Sequence, residues 1–388
     1  FMKKLLIFLI LAYLHLSINT IAAAENVDEN DKTLKIGVLL PLSGKYQILG
    51  ESFLKSIQLA LYDISNVNIK IYPKDSKANS LDAHKSAKEF EELGIKVVIG
   101  PIFHESLKKL GEVNSITFIS LTNKTDKVSN NIIAFGINIK SQISALKKYF
   151  TKIKVSKTLL LSPRTEFIDQ IETIENSQLK FDRVFFYDTS PEKITNEIEK
   201  LTKYKERKKD LERRIKILEN SDLFKDKKEL EKLNQKHTLG SVNFDSVVVV
   251  DFDERLKSVL TSFMFSDITH KRVDFFTVNQ WFDKNLFNEA ALQNLHFPSI
   301  NLENLTKFEK KYFNKYNEKP NTVSILAYDA LGLIYYCWIN NNSEFKSSQL
   351  YNKKGFKGLH GEFQIIDNVS NQKLKIYKIS KKKFLKVY

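Results

Sequence analysis

Apolar, strand-like runs and helix-spaced apolar stripes alternate along this 388-residue chain, joined by short polar connections. Strands that each hand over to a helix do not pair as hairpins; they lie parallel, with the helices covering the sheet. The first series opens at residues 34–42, a buried run that ends in Ser43-Gly44, after which Phe53, Ile57, Ala60, Leu61 and Ile64 mark one helix face. A strand at 68–72 follows, then a helix at 80–93 with Ser80 to cap it and Gly94 to stop it. A buried strand at 96–102, a helix from about Glu105 and a strand from Thr117 complete the series. The second series begins after Asn138, with a helix at 141–150, a strand at 157–163, a helix at 166–175 and a strand at 183–188. It resumes with a strand at 245–252, a helix from Asp253 and a strand from Arg272. Two such series predict an α/β fold of two doubly wound lobes. A long helix at 323–339 and two strand signals around residues 367–371 close the chain.

Between the halves of the second series lies a charged segment, residues 191–237. From 203 to 236 it carries 13 basic and 8 acidic residues, with no glycine or proline. Ile194, Ile198, Leu201, Tyr204, Leu211, Ile215 and Leu218 recur at steps of three or four, with Lys208 filling the gap between Tyr204 and Leu211, and Leu230 and Leu233 answer them after a turn at 220–226. The pattern predicts a helical hairpin inserted in a lobe, either a solvated excursion held by its own stripe or a partner-binding arm.

The N-terminus reads as a targeting segment. Lys3 and Lys4 precede an apolar run at residues 5–16, too short for a hydrocarbon core of roughly 30 Å but suited to a signal peptide. Ala22-Ala23-Ala24 supplies a cleavage site before Glu25, and residues 25–32 form an acidic tether; the alternative is an uncleaved anchor. Export places the protein in a periplasm. Cys337 is the only cysteine, so no internal disulfide forms; it lies in an apolar helical context, and with no cysteine at the cleavage site no lipid anchor is expected there. The formal charge is +15, yet only seven of 61 basic residues are arginine, which argues against nucleic acid and for a lysine-rich solvated surface with weak affinity for anionic surfaces.

Signatures of catalysis are thin. His84, His104, His237, His270, His296 and His360 are scattered, no metal-ligand spacing occurs, and neither a nucleophile elbow nor a phosphate or dinucleotide loop is present. The chain is therefore expected to be no enzyme and to need no metal or cofactor; a chemical step would have to come from residues such as His104 or Glu105. Binding is better supported, because ligands of open α/β sheets sit beyond the carboxyl ends of the strands. The loops there offer Ser43, Gly44 and Tyr46; Phe103, His104 and Ser106; Thr122 and Asn123; Arg164 and Thr165; and Gln280 and Trp281. If the lobes face each other, these five loops line one cleft, with glycine at 44 allowing close backbone approach.

KIGVLLPLSGKYQILG at 35–50, VVIGPI at 97–102, SILAYDALGLI at 324–334 and GFKGLHGEFQI at 355–365 resemble, in order, the landmarks of type I periplasmic binding proteins. The charged insert, HTLGSVNFDSVVVVDFDERL at 237–256 and the closing glycine-rich strand make the chain most similar to the penicillin-binding protein activator (LppC-type) group. The resemblance implies two lobes joined by three crossovers, the first taking 33–139 and 283–339, the second 140–282 and 340–388. It implies a non-catalytic binding protein that regulates peptidoglycan synthesis through protein contacts or a small cleft ligand, with a penicillin-binding protein as partner. The alternative it implies is the solute-binding component of an ABC importer for amino acids or related molecules, with a permease as partner. His104 stands where amino-acid binders place a serine, Thr122-Asn123-Lys124 replaces Ala-Ala-Thr, and Glu166-Phe167 replaces Tyr-Gly. This bulky, partly cationic set argues against an α-amino acid as ligand. The lipid-anchor cysteine and the N-terminal helical-repeat domain of some activators have no counterpart in the sequence.

Overall fold

The computed structural model describes residues 33–164, 181–278 and 288–388. The first stretch of chain forms β1 (Leu34–Leu40), α1 (Gln47–Ile64), β2 (Ile69–Asp75), α2 (Ser80–Glu92), β3 (Val97–Ile99), β4 (Thr117–Ser120) and β5 (Ile132–Ala134). Then come α3 (Ile139–Ile153), β6 (Thr158–Pro163), β7 (Arg183–Tyr187), α4 (Pro191–Leu201), α5 (Tyr204–Glu219) and α6 (Phe224–Leu233). They are followed by β8 (Ser246–Val249), α7 (Asp253–Phe265), β9 (Asp274–Thr277) and β10 (His296–Ser299). The chain ends with α8 (Leu302–Tyr316), α9 (Ile325–Ile339), β11 (Phe356–Lys357), β12 (Glu362–Ile366), β13 (Val369–Gln372), β14 (Lys375–Ser380) and β15 (Lys383–Lys386).

Two sheets result. One runs β11-β12-β13-β5-β4-β3-β1-β2, the other β15-β14-β10-β9-β8-β6-β7. In each, five parallel strands stand in the same order, with the first strand beside the second on one side and the third on the other. The two lobes are thus doubly wound alike, although their sequences show no repeat. The buried runs explain the parallel strands: β1, β3 and β8 are enclosed on both faces, so nearly every position is apolar. Gly50 lets α1 close on its own strand, since a Cβ there would lie 1.9 Å from the Pro41 carbonyl oxygen.

Several expectations are corrected. Asn79, extended and one residue earlier than Ser80, caps α2 by accepting the Leu81 and Asp82 N–H groups. The helix expected from Glu105 is instead two short 3-10 turns, His104–Leu107 and Leu110–Glu112. The helix expected at 166–175 lies outside the described residues. β10 pairs with β9 and β14, in the second sheet, whereas 283–339 was assigned to the first lobe; β11, β12 and β13 join the first sheet, whereas 340–388 was assigned to the second. Patterning identifies a strand but not its neighbour, and short strands such as His-Phe-Pro-Ser carry almost no pattern.

The 191–237 insert also divides. α4 is a core helix, with Ile194 and Ile198 buried among Leu159, Leu256 and Phe263, and only α5 and α6 form the hairpin. Lys203, in the left-handed conformation at φ +51°, breaks the stripe between α4 and α5. The hairpin has a small core of its own, Leu211, Leu218 and Leu233.

Among the described residues the chain passes between sheets three times, at residues 135–138, 300–301 and 373–374. The main apolar core is continuous across both lobes, joining Val38, Ile99 and Leu331 to Val248, Phe276 and Ile376.

Candidate functional site

In the first sheet the winding reverses between β1 and β3, so their carboxyl ends leave a crevice between diverging loops. Ser43 stands at this rim, and its hydroxyl donates to Asp75 Oδ2 at 2.5 Å from the end of the neighbouring β2. Asp75 Oδ1 accepts the Leu42 and Lys77 N–H groups at 2.8 Å each. Burial pushes the Asp75 carboxyl up, but the bonds from Ser43, Lys77 and Leu42 outweigh it and hold the group below the ordinary carboxylate range. Gly44 has φ +70° and nothing within 4 Å of a Cβ position, so its contribution is the turn itself; the close approach along this segment belongs to Gly50.

Tyr46 crosses the crevice and meets Phe103, ring centroids 4.5 Å apart, joining the loops after β1 and β3. His104 Nε2 lies 2.9 Å from the Asp126 carbonyl oxygen, joining the loops after β3 and β4. Asn123 is exposed on the same side. Two expected rim residues turn inward. Ser106 is fully buried beside Leu107, because the tight turn at 104–107 rotates it into the core, and its hydroxyl is enclosed without a partner among the described residues. Thr122 is buried too: its carbonyl accepts the Gly136 N–H at 2.9 Å and its hydroxyl accepts the Lys124 N–H at 3.2 Å.

The second sheet reverses between β6 and β8. Arg164 leaves β6 there, exposed, with Nη2 3.3 Å from the Phe186 carbonyl oxygen and 3.4 Å from Glu197 Oε1. Beside it, unanticipated from the sequence, stands Asp251, fully buried at the end of β8. Its Oδ2 accepts the Tyr187 hydroxyl at 2.5 Å, and its Oδ1 accepts the Phe252 N–H at 2.8 Å and Arg255 Nε at 3.1 Å. An aspartate closing a run of four valines was the signal available. Asp75, closing IKIYPKD at the end of β2, is a strand-end aspartate of the first lobe, on the second strand of its series where Asp251 follows the third. Nearby, Asp188 is lowered to about 2 by the Ser190 N–H, Lys193 and the Ser190 hydroxyl. Thr165, Gln280 and Trp281 lie outside the described residues, as do Glu166 and Phe167.

The structure thus brings Ser43, Tyr46, Phe103 and His104 together on one rim and places Arg164 on the other. The first rim carries hydrogen-bonding groups and the Tyr46–Phe103 aromatic pair, and the second carries the Arg164 guanidinium. Among the described residues no cluster of three or more His, Cys, Asp or Glu side chains could hold a metal ion. Far from the rims, at the amino ends of β1, β3 and β4, a polar cavity of about 710 Å³ is lined by Lys35, Lys96, Ser115, Trp338 and Lys346 among others.

No protein-family model matches the chain, and no curated protein sequence matches it. Solved structures do. The C-domain of LpoA (YraM) from Haemophilus influenzae, described as a regulator of PBP1A, superposes with a TM-score of 0.64 at 15% identity, over 91% of this chain and 100% of that one. Full-length LpoA from the same organism gives 0.63 at 14% identity, over 92% of this chain and 59% of that one. A putative branched-chain amino acid ABC transporter protein from Rhodospirillum rubrum gives 0.69 at 12% identity, over 92% and 100%. The fold is that of the type I periplasmic binding proteins.

Proposed function

We propose that this chain is a non-catalytic extracytoplasmic binding protein that regulates peptidoglycan synthesis through protein contacts. The observation that carries this reading is the extent of the likeness to the LpoA C-domain, a domain described as a regulator, spanning 91% of this chain and all of that one. The rim chemistry supports it. Ser43 is committed to Asp75, Tyr46 to Phe103 and His104 to a backbone carbonyl, so a ligand carboxylate would have to displace internal bonds. The partner contact is assigned to lobe surfaces and to the hairpin α5–α6.

A second reading, a solute-binding component of an importer, is favoured by the likeness to the Rhodospirillum rubrum protein and by the two crevices. Two measurements separate them. Replacing residues 204–236 by a short Gly-Ser linker spares α4 and its core contacts; the variant stays folded and loses binding to, and stimulation of, a purified penicillin-binding protein. Undiminished stimulation would remove the hairpin from the interface, and no binding by the intact chain would end the regulator reading. A thermal-shift screen of leucine, isoleucine, amides and muropeptides shows no stabilisation. A true solute would raise stability by about 2.7 kcal/mol at a hundredfold excess over Kd, and such a shift would favour the importer.

A further inference from the structure

α9 is apolar on every side, and a helix of that kind is normally enclosed. It packs on α1 and reaches β3, but one face stays open. Gly332, Tyr336 and Ile339 run down that face at steps of four and three, with Tyr336 50% and Ile339 49% exposed. The face looks across a groove of about 480 Å³ toward Phe356 and Phe363. Tyr336, Phe356 and Phe363 make a continuous aromatic wall, with ring centroids 5.8 and 5.5 Å apart. Nothing stands within 4 Å of where a Cβ would project from Gly332, so this glycine leaves the floor open. A second hollow, of about 280 Å³, adjoins on the other flank of Tyr336.

Lys357 lines the groove, and Lys353 and Lys354 lead directly into its lining residue Gly355. All three are exposed and none forms an ion pair among the described residues, whereas Lys346 is paired with Glu344, and Glu362, opposite Lys357 in the strand register, with Lys373. The carboxylate in the lining, Asp329, is taken up by the Leu359 and His360 N–H groups and the His360 ring. β11, which forms one wall, is the end strand of its sheet, so its outer edge has no strand partner among the described residues.

We propose that this groove docks an extended peptide segment of another protein, apolar at alternate positions and acidic between them, laid along β11 with side chains over Gly332 and carboxylates at the three lysines. A hydrocarbon chain would fill the aromatic wall but leave the backbone groups of β11 unmatched. A second copy would set its own lysines against these, which repels. The site uses neither rim and stands whether or not the chain regulates wall synthesis.

The test is fluorescence anisotropy with a fluorescein-labelled peptide, Asp-Phe-Asp-Leu-Glu-Phe-Asp, against a twin in which lysine replaces every acid. The acidic peptide saturates, and the lysine twin binds about tenfold or more weakly. Gly332→Leu, which fills open space on a helix and keeps the fold by circular dichroism, weakens the acidic peptide about tenfold, as does Tyr336→Ala. Lys353→Glu, Lys354→Glu and Lys357→Glu together reverse the preference. Equal affinity for the two peptides, or affinity untouched by Gly332→Leu, overturns the proposal. So does self-association in sedimentation velocity that Gly332→Leu abolishes, which would assign the groove to a second copy. Dodecanoate binding that needs Gly332, without peptide binding, would assign it to an amphiphile.

Discussion

His296 shows how one buried side chain can set the acid limit of the second lobe. It sits on β10 between Phe276, stacked at 5.0 Å, and Tyr149 at 5.8 Å, with Nδ1 3.2 Å from the Phe275 carbonyl oxygen. Burial lowers its pKa below the ordinary 6.5, more than the Phe275 carbonyl and Asp274 raise it, while Lys378 adds to the lowering. The unfolded chain therefore takes up a proton that the folded chain refuses. Stability is unaffected well above pH 6.5, and falls as pH drops from there toward the folded value, by up to about 1.4 kcal/mol per unit. Urea midpoints at steps between about pH 7.5 and 5.5 follow that slope, and His296→Gln flattens it whatever its own stability; an unchanged slope would exclude His296 as the cause. The sequence marked this histidine only as one of a scattered set. Ser43 and His104 were legible because polar residues after a buried strand are conspicuous, whereas Asp75 and Asp251 were not, because their meaning lies in partners on other strands. Ser106 and Thr122 show the converse: being polar and near a strand end does not say which way a tight turn rotates the side chain.

At the scale of elements, the charged insert is where periodicity misled most. The apolar stripe runs on from α4 into α5 without a visible break, because a lysine at a left-handed position leaves no mark in composition. The anchor is equally hidden. Arg207, buried at the start of α5, donates from Nε to the Thr202 carbonyl at 2.8 Å, from Nη1 to Thr238 Oγ1 at 2.8 Å and from Nη2 to the Ser266 carbonyl at 2.6 Å. Thr238 passes the contact on to Asp267, whose Oδ2 accepts its hydroxyl at 2.6 Å and pairs with Arg272 at 3.0 Å. One guanidinium thus pins the base of the hairpin to the end of α4 and to the turn after α7. Arg207→Ala leaves the buried Thr202 and Ser266 carbonyls without their donor and should cost on the order of 2–4 kcal/mol. The loss is local: limited proteolysis cuts within 204–236 faster in the variant, while cleavage of the two sheets is unaltered. Equal protection of the hairpin in both proteins would show that Leu211, Leu218 and Leu233 hold it without the arginine.

For the whole molecule, the question is what couples two lobes that are wound alike. Two-lobed architecture was legible from the alternation of signals, but the placement of the crossovers was not, since it depends on which sheet each short late strand joins. The first and third crossovers are fastened by buried amides. Asn138 Nδ2 donates to the Ser370 carbonyl at 2.7 Å, and Gln372 Nε2 donates to the Phe135 and Gly136 carbonyls at 3.1 and 3.2 Å. The Ser141 hydroxyl meets Gln372 twice, donating to Oε1 and accepting the backbone N–H, at 2.9 Å each. The second crossover is tied in through Asn301, whose N–H reaches the His360 carbonyl at 3.0 Å. A network of this kind is stabilising only while every member is satisfied. Gln372→Leu keeps the volume but removes the side-chain partner of two carbonyls and of the Ser141 and Ser370 hydroxyls, at a cost on the order of 2–4 kcal/mol. Because the apolar core runs through both lobes, the intact chain melts in one calorimetric transition. The variant should lower that temperature and separate the lobes into two overlapping transitions, since the damage falls on the join and not within either sheet. A single transition at an unchanged temperature would mean that apolar packing alone couples the lobes and that the amides only fill space.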